Sequence, residues 1–138
     1  MKILIDTNVI IDVLIGRGPH FESSAAFLKL CGKQITGLII ASQTTDIFYL
    51  LRRNGKNSDE AKLILQKLTT NLKVTDVTAV DVKNALDSEM PDYEDALLAY
   101  AAKRQKTEHI VTRNEKDFVK SPVIALSSQV FLEQFFSI

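Results

Sequence analysis

Short apolar runs punctuate the chain: KILI at 2–5, ITGLII at 35–40, HIVT at 109–112 and VIAL at 123–126, with the more mixed LKVTDV at 72–77. Runs this short, and without the alternation of a one-sided sheet, suit strands covered on both faces. Between them lie segments with helical punctuation. VIIDVL reads as a brief helix after the first strand, and Pro19 opens a second that stops at Gly32. Ser42 is placed to cap QTTDIFYLLRR, which Asn54-Gly55 closes. DEAKLILQKL follows Ser58 with apolar residues at 61, 64, 65 and 68, and Thr78 caps AVDVKNAL. Pro91 opens DYEDALLAYAAKRQ, and Ser127 or Ser128 caps QVFLEQFF. Strand and helix alternate throughout, so the expected class is α/β, with a mostly parallel central sheet. In such folds ligands bind beyond the carboxyl ends of the strands.

With 138 residues and no repeat, low-complexity tract or linker, the expectation is a single domain over 1–138. A chain this long buries enough surface to fold without disulfides. Seventeen basic and seventeen acidic side chains cancel, which removes any global electrostatic pull on nucleic acid and leaves only local basic patches. One cysteine, Cys31, cannot pair within the chain and reads as a small core residue of a protein in a reducing cytoplasm. No run is apolar enough to span a bilayer, so no membrane partner is expected. Two histidines and one cysteine do not make a structural zinc site. Any metal would be held by oxygen, which favours Mg²⁺ or Mn²⁺.

The acids carry the chemistry, and each has a bland alternative. Asp6 ends the first strand, where it could cap the next turn, and Asn8 shares that ambiguity. Asp12 reads as a solvated or capping residue. Asp46 stands at the edge of the stripe formed by Ile47, Leu50 and Leu51, or as a surface acid favoured by the helix dipole. Asp95 shares a face with Leu98, Ala99 and Ala102, so it points inward, with Asp92 one turn earlier as the acid best explained by the helix start. Two such charges ~4 Å apart repel by about 4 kcal/mol at an effective dielectric of ~20. Asp117 follows HIVT in TRNEKDF, where Asn and Asp also suit a turn. The bland readings do not explain the arrangement. Asp6, Asp46, Asp95 and Asp117 all follow a strand or begin a helix, which in a right-handed α/β sheet is one edge of the molecule. Carboxylates gathered there raise one another's pKa or recruit a cation.

ILIDTNVIIDVL, SQTTDIFYLLRR, DYEDALLAYAA and IVTRNEKDF, in this order over nearly the whole chain, resemble the PIN domain family, in particular its single-domain prokaryotic members that include VapC-type toxins. The resemblance implies a three-layer α/β/α sandwich and a Mg²⁺- or Mn²⁺-dependent ribonuclease of toxin–antitoxin type. It places the family's acids on Asp6, Asp46, Asp95 and Asp117, with Asp92 in an accessory place. Asp6, Asp95 and Asp117 would bind the principal metal, and Asp46 and Asp92 a second ion or its waters. Asn8, Thr112 and Asn114 match polar positions that support the acids. Most members carry Glu where this chain has Asp46, a side chain shorter by about 1.5 Å. The resemblance further implies RNA as substrate, an antitoxin protein as partner and a homodimer.

An acidic site must still attract a polyanion, and Arg113 and Lys116 beside Asp117 are the best placed to contact phosphate. Arg52, Arg53 and Lys56, like Lys103, Arg104 and Lys106, equally suit helix C-termini, and Lys120 a solvated face. Phe131, Phe135 and Phe136 read as core. Two rivals stand beside the nuclease. An acid-nucleophile phosphatase wants a second Asp at position 8, where the chain has Asn. A PIN module that binds RNA or protein without cutting is the alternative that Asp46 leaves open.

Overall fold

The computed structural model describes residues 1–136. Among them, strands β1 (Lys2–Ile5), β2 (Thr36–Ile40), β3 (Leu72–Thr75), β4 (His109–Val111) and β5 (Ala125–Leu126) form one sheet in the order β3-β2-β1-β4-β5. Every pairing is parallel. Helices α1 (Thr7–Leu14) and α2 (Phe21–Leu30) join β1 to β2, and α3 (Ala41–Arg53) and α4 (Ser58–Asn71) join β2 to β3. The chain then reverses direction across the sheet through α5 (Ala79–Asp87) and α6 (Tyr93–Arg104). A 3₁₀ turn over Glu115–Phe118 precedes β5, and α7 (Ser128–Phe136) follows it.

The sheet is covered on both sides, which gives the three layers expected. Ile3 and Ile5 of β1 pack with Val9, Ile10, Phe27, Ile47, Leu51 and Phe131 on one face. Leu4 points the other way and packs with Ala96, Ala99, Ala102 and Ile110. The alternation follows from the two-residue repeat of a strand. The second face is built by α5 and α6, because a right-handed connection that reverses direction must cross the opposite side. Alanines on the inner face of α6 bring that helix close to the sheet. Gly37 on β2 permits another close approach: a Cβ there would lie 2.8 Å from both Cys31 Sγ and Leu72 Cδ2. Cys31 is buried as expected, and burial pushes its thiol up to about 12.

Some local expectations shift. Asn57 caps α4, with its Oδ1 accepting from the Glu60 N–H at 2.8 Å. Ser42 lies inside α3 and does not cap it. The helix runs straight off β2, and the Gln43 Oε1 accepts the Ile40 N–H at 2.8 Å instead. Phe131 is fully buried, but Phe135 is exposed and lies tilted against His109 and Phe131. Arg104, read as a helix-end cation, grips the buried Asp81 at 2.9 Å and reaches Asp76 at 3.0 Å, tying α5 to α6. Burial alone would raise the Asp81 carboxyl, but hydrogen bonds from Arg104 and Thr78 outweigh it and hold it below its ordinary value. Among the described residues no helix is long and apolar enough to cross a membrane.

Candidate active site

The strand order reverses at β1 and β4, so the crevice beyond their carboxyl ends is the natural ligand site of this sheet. Ile5 pairs with Val111, which places Asp6 and Thr112 side by side one residue later. The Asp6 N–H donates to the Val111 carbonyl at 2.9 Å, so strand pairing continues up to the acid. Thr112 Oγ1 donates to Asp6 Oδ2 at 2.8 Å and accepts the Asn114 N–H at 3.1 Å. Its hydroxyl is thereby oriented, and so is the carboxylate. Asp6 occupies the cap position of α1 but makes no side-chain cap bond. Its carboxyl is raised, chiefly by burial, against the opposing pull of Thr112, the nearby Thr7 N–H and the Arg113 charge.

α3 is anchored to the same edge by Gln43, a buried residue that no sequence motif marks out. Its Nε2 donates to the Ile5 carbonyl at 2.8 Å and to Thr7 Oγ1 at 3.2 Å. One side chain thus links the ends of β1 and β2 and fixes where α3 begins. Asp46, one turn further along, is half-buried, and burial raises its carboxyl.

α6 enters from the other side. Asp92 caps it, its Oδ1 accepting the Asp95 N–H at 2.9 Å, so one of its oxygens is already used. Asp95 is half-buried, and its carboxyl is pushed up to about 7, first by burial and then by the charges of Asp6, Asp92, Asp117 and Glu94. Glu94 was not expected at the site. Burial raises it, followed by the charges of Asp46, Asp92 and Asp6. Sequence periodicity could have found it only as a neighbour of Asp95, because it lies on the exposed side of the helix. Asp117, half-buried on the 3₁₀ turn, completes the ring of charges around Asp95.

The structure therefore brings Asp6, Asp92, Glu94, Asp95 and Asp117 into one electrostatic neighbourhood, and Asp46 joins it through Glu94. Among the described residues no three such groups are already gathered closely enough to hold an ion. An all-oxygen set that is spread rather than closed suits a hard cation that keeps part of its water shell, as Mg²⁺ does. Burial raises these carboxyls first, and neighbouring acids add to it at Asp95 and Glu94, so a cation there would relieve both effects.

Asn8 Oδ1 accepts the Arg113 N–H at 3.3 Å, so this residue supports the loop after β4. Asn114 supports Thr112 through its backbone while its side chain is exposed. Arg113 is half-buried, whereas Lys116 is exposed, and both line a cleft of about 470 Å³ with Asn114 and Glu115. Lys120 is engaged at the surface by Glu89 at 3.3 Å. Asp12, expected to be solvated or capping, is instead fully buried and ion-paired. A groove of about 590 Å³ between α3 and α4 is lined by Thr44, Thr45, Phe48, Tyr49, Arg52, Lys62 and Leu65, and none of the acids lines it.

A family model described as PIN domain matches residues 2–116 of the chain. Several solved structures share the fold. VapBC2 from Rickettsia felis, bound to a DNA fragment from its promoter, superposes with a TM-score of 0.71 at 20% identity, covering 92% of this chain and 98% of that one. A toxin–antitoxin complex from Klebsiella pneumoniae gives 0.68 at 18% identity, covering 91% and 96%. VapC20 from Mycobacterium tuberculosis, described as a sarcin-ricin loop cleaving toxin, gives 0.63 at 15% identity, covering 78% and 86%. No curated protein sequence matches the chain.

Proposed function

Because the chain belongs to the PIN domain family, we propose that it is a Mg²⁺- or Mn²⁺-dependent endoribonuclease and the toxin of a toxin–antitoxin pair. The observation that carries this reading is the position of Asp6 and Asp95, a buried and a half-buried carboxylate at the switch point of a parallel sheet, where the Asp6 charge helps to raise Asp95. The neighbours' descriptions as toxin–antitoxin proteins, one of them cleaving the sarcin-ricin loop, support the same direction.

In this reading Asp6, Asp95 and Asp117 hold the cation, and Asp46, with the free oxygen of Asp92, orients its outer waters. When bound, the cation would lower the pKa of water and polarise the scissile phosphate. Thr112 keeps the Asp6 carboxylate pointed at the crevice. The elevated proton affinity of Asp95 favours loading above its pKa of about 7, where it is ionised. Arg113 and Lys116 contact the RNA backbone, an antitoxin holds the enzyme inactive, and the active species is a homodimer.

The rival, a module that binds RNA without cutting it, draws on the shorter Asp46. A mixed RNA pool incubated with Mg²⁺ or Mn²⁺, with EDTA and with Asp6→Asn as controls, separates them. The proposal expects cleavage by the wild type alone, and only with metal. Undiminished cleavage by Asp6→Asn would overturn the assigned site, and RNA binding without cleavage would favour the module.

A further inference from the structure

Asp12 is 0% exposed, although it lies in a short helix whose neighbouring turn is open to solvent. Its Oδ1 accepts from Arg17 Nε at 2.9 Å and from Arg113 NH1 at 3.2 Å. Oδ2 lies 3.1 Å from the same Arg113 nitrogen but outside hydrogen-bond geometry, so it accepts nothing. A buried carboxylate needs one cation to balance it. This one has two, and the Arg113 charge also acts on the Asp6 carboxylate beyond it. The two guanidiniums are held within reach of a single oxygen, and their side chains remain 47% and 31% exposed.

The backbone is shaped for this arrangement. The Arg17 N–H donates to the Asp12 carbonyl at 2.9 Å, so Arg17 is tied to Asp12 twice. Gly16 at φ 65 and Gly18 at φ 82 flank it, and a Cβ at either would meet nothing within 4 Å. Glycine is used there for the left-handed turn itself, not for want of space.

Each guanidinium opens onto its own cleft. Arg17 shares one of about 400 Å³ with Asn54 and Lys56, and Arg113 shares the one of about 470 Å³ with Asn114 and Lys116. Arg113 is also the residue after Thr112, the partner of Asp6. The two clefts together set Lys56, Arg17, Arg113 and Lys116 in sequence, with Glu115 as the acid among the residues lining them. Planar guanidiniums with unused N–H donors match phosphate oxygens in pairs.

Resting on the nuclease reading above, we propose that Asp12 is a positioning residue: it sets Arg17 and Arg113 side by side as a clamp for the backbone phosphates of single-stranded RNA next to the scissile bond. A structural ion pair alone needs neither the second arginine nor two clefts with lysines at their ends.

The test is the affinity of a short fluorescein-labelled single-stranded RNA, by anisotropy across a salt series. It is run in EDTA and again with Mg²⁺ on the non-cleaving Asp6→Asn background. Arg17→Ala should weaken binding about 3- to 10-fold and lower the salt slope by about 0.7. Arg17→Lys should restore the slope but not the full affinity. Asp12→Asn separates position from charge: if Asp12 only neutralises, its loss adds net positive charge and tightens binding, whereas the clamp predicts weakening. Should Asp12→Asn not fold, Gly18→Ala strains the turn that returns Arg17 while keeping every charge. The clamp predicts weaker binding with the slope unchanged. Wild-type binding with unaltered affinity in the Arg17 and Gly18 variants, or tighter binding by Asp12→Asn, would overturn the clamp alone. Absence of wild-type RNA binding under both conditions would overturn the nuclease reading with it.

Discussion

Replacing Asp95 by Asn should stabilise the metal-free protein at neutral and alkaline pH. The carboxyl has its pKa raised from 3.8 to about 7 by burial and by Asp6, Asp92, Asp117 and Glu94. The folded chain therefore binds this proton more tightly than the unfolded chain does. Between those two values folding stability falls as pH rises, and the loss is complete above about 7. At 1.36 kcal/mol per unit the full shift corresponds to roughly 4 kcal/mol. Asp95 is partly open to solvent, so about 2 kcal/mol is the better expectation. Asn keeps the shape and the N–H that Asp92 caps but removes the charge, and it relieves Asp6 and Asp117 as well. Thermal melts in EDTA should show Asp95→Asn melting about 6 °C above wild type near pH 8, with the gap closing towards pH 4. Excess Mg²⁺ should raise the wild-type midpoint and leave the variant nearly unmoved. A variant that melts at or below wild type at pH 8, or a gap that does not change with pH, would refute the reasoning.

Thr112→Val keeps the bulk but removes the hydroxyl that donates to Asp6 Oδ2 at 2.8 Å, and RNA cleavage should fall about 10- to 100-fold with unchanged secondary structure by circular dichroism. Arg104→Ala leaves the buried Asp81 without its cation and should cost about 3 kcal/mol in urea denaturation at pH 7. Because the Asp81 pKa is depressed, that loss should shrink as pH falls through its folded value and the wild type gives up the same stabilisation. Gly37→Ala drives a methyl to 2.8 Å from Cys31 Sγ and Leu72 Cδ2 and should destabilise by about 1–3 kcal/mol, read as a lowered melting temperature.

The sheet was legible because its strands are buried on both faces, and burial writes itself as apolar runs such as KILI and HIVT. β5 covers only Ala125–Leu126 of VIAL: Ser121 takes the Val123 N–H, while the Ile124 carbonyl still accepts the Ile110 N–H at 3.0 Å. The placement of Asp6, Asp95 and Asp117 after strands and at a helix start was readable for the same topological reason, whereas Asp46 lies in the second turn of α3, beyond the first turn expected for it. Asp12 was not, since its arginine partners stand five and 101 residues away and a helical acid looks solvated until they are found. Gln43, not Ser42, satisfies the backbone at the start of α3 because a longer amide reaches both β1 and β2, a choice that depends on how far apart the strand ends lie. Glu94 carries no inward periodicity, so only the approach of Asp46 from another helix reveals it.

The central claim is that acids far apart in the chain share one cation. Titration of Mn²⁺ into the metal-free protein, followed by calorimetry, tests it for wild type, Asp6→Asn, Asp95→Asn and Asp117→Asn. Asp87→Asn serves as control, a surface acid paired with Lys83 at 3.4 Å. The account predicts at least about 10-fold weaker binding for each of the three site variants and wild-type affinity for the control. Equal affinity in all five proteins would contradict it.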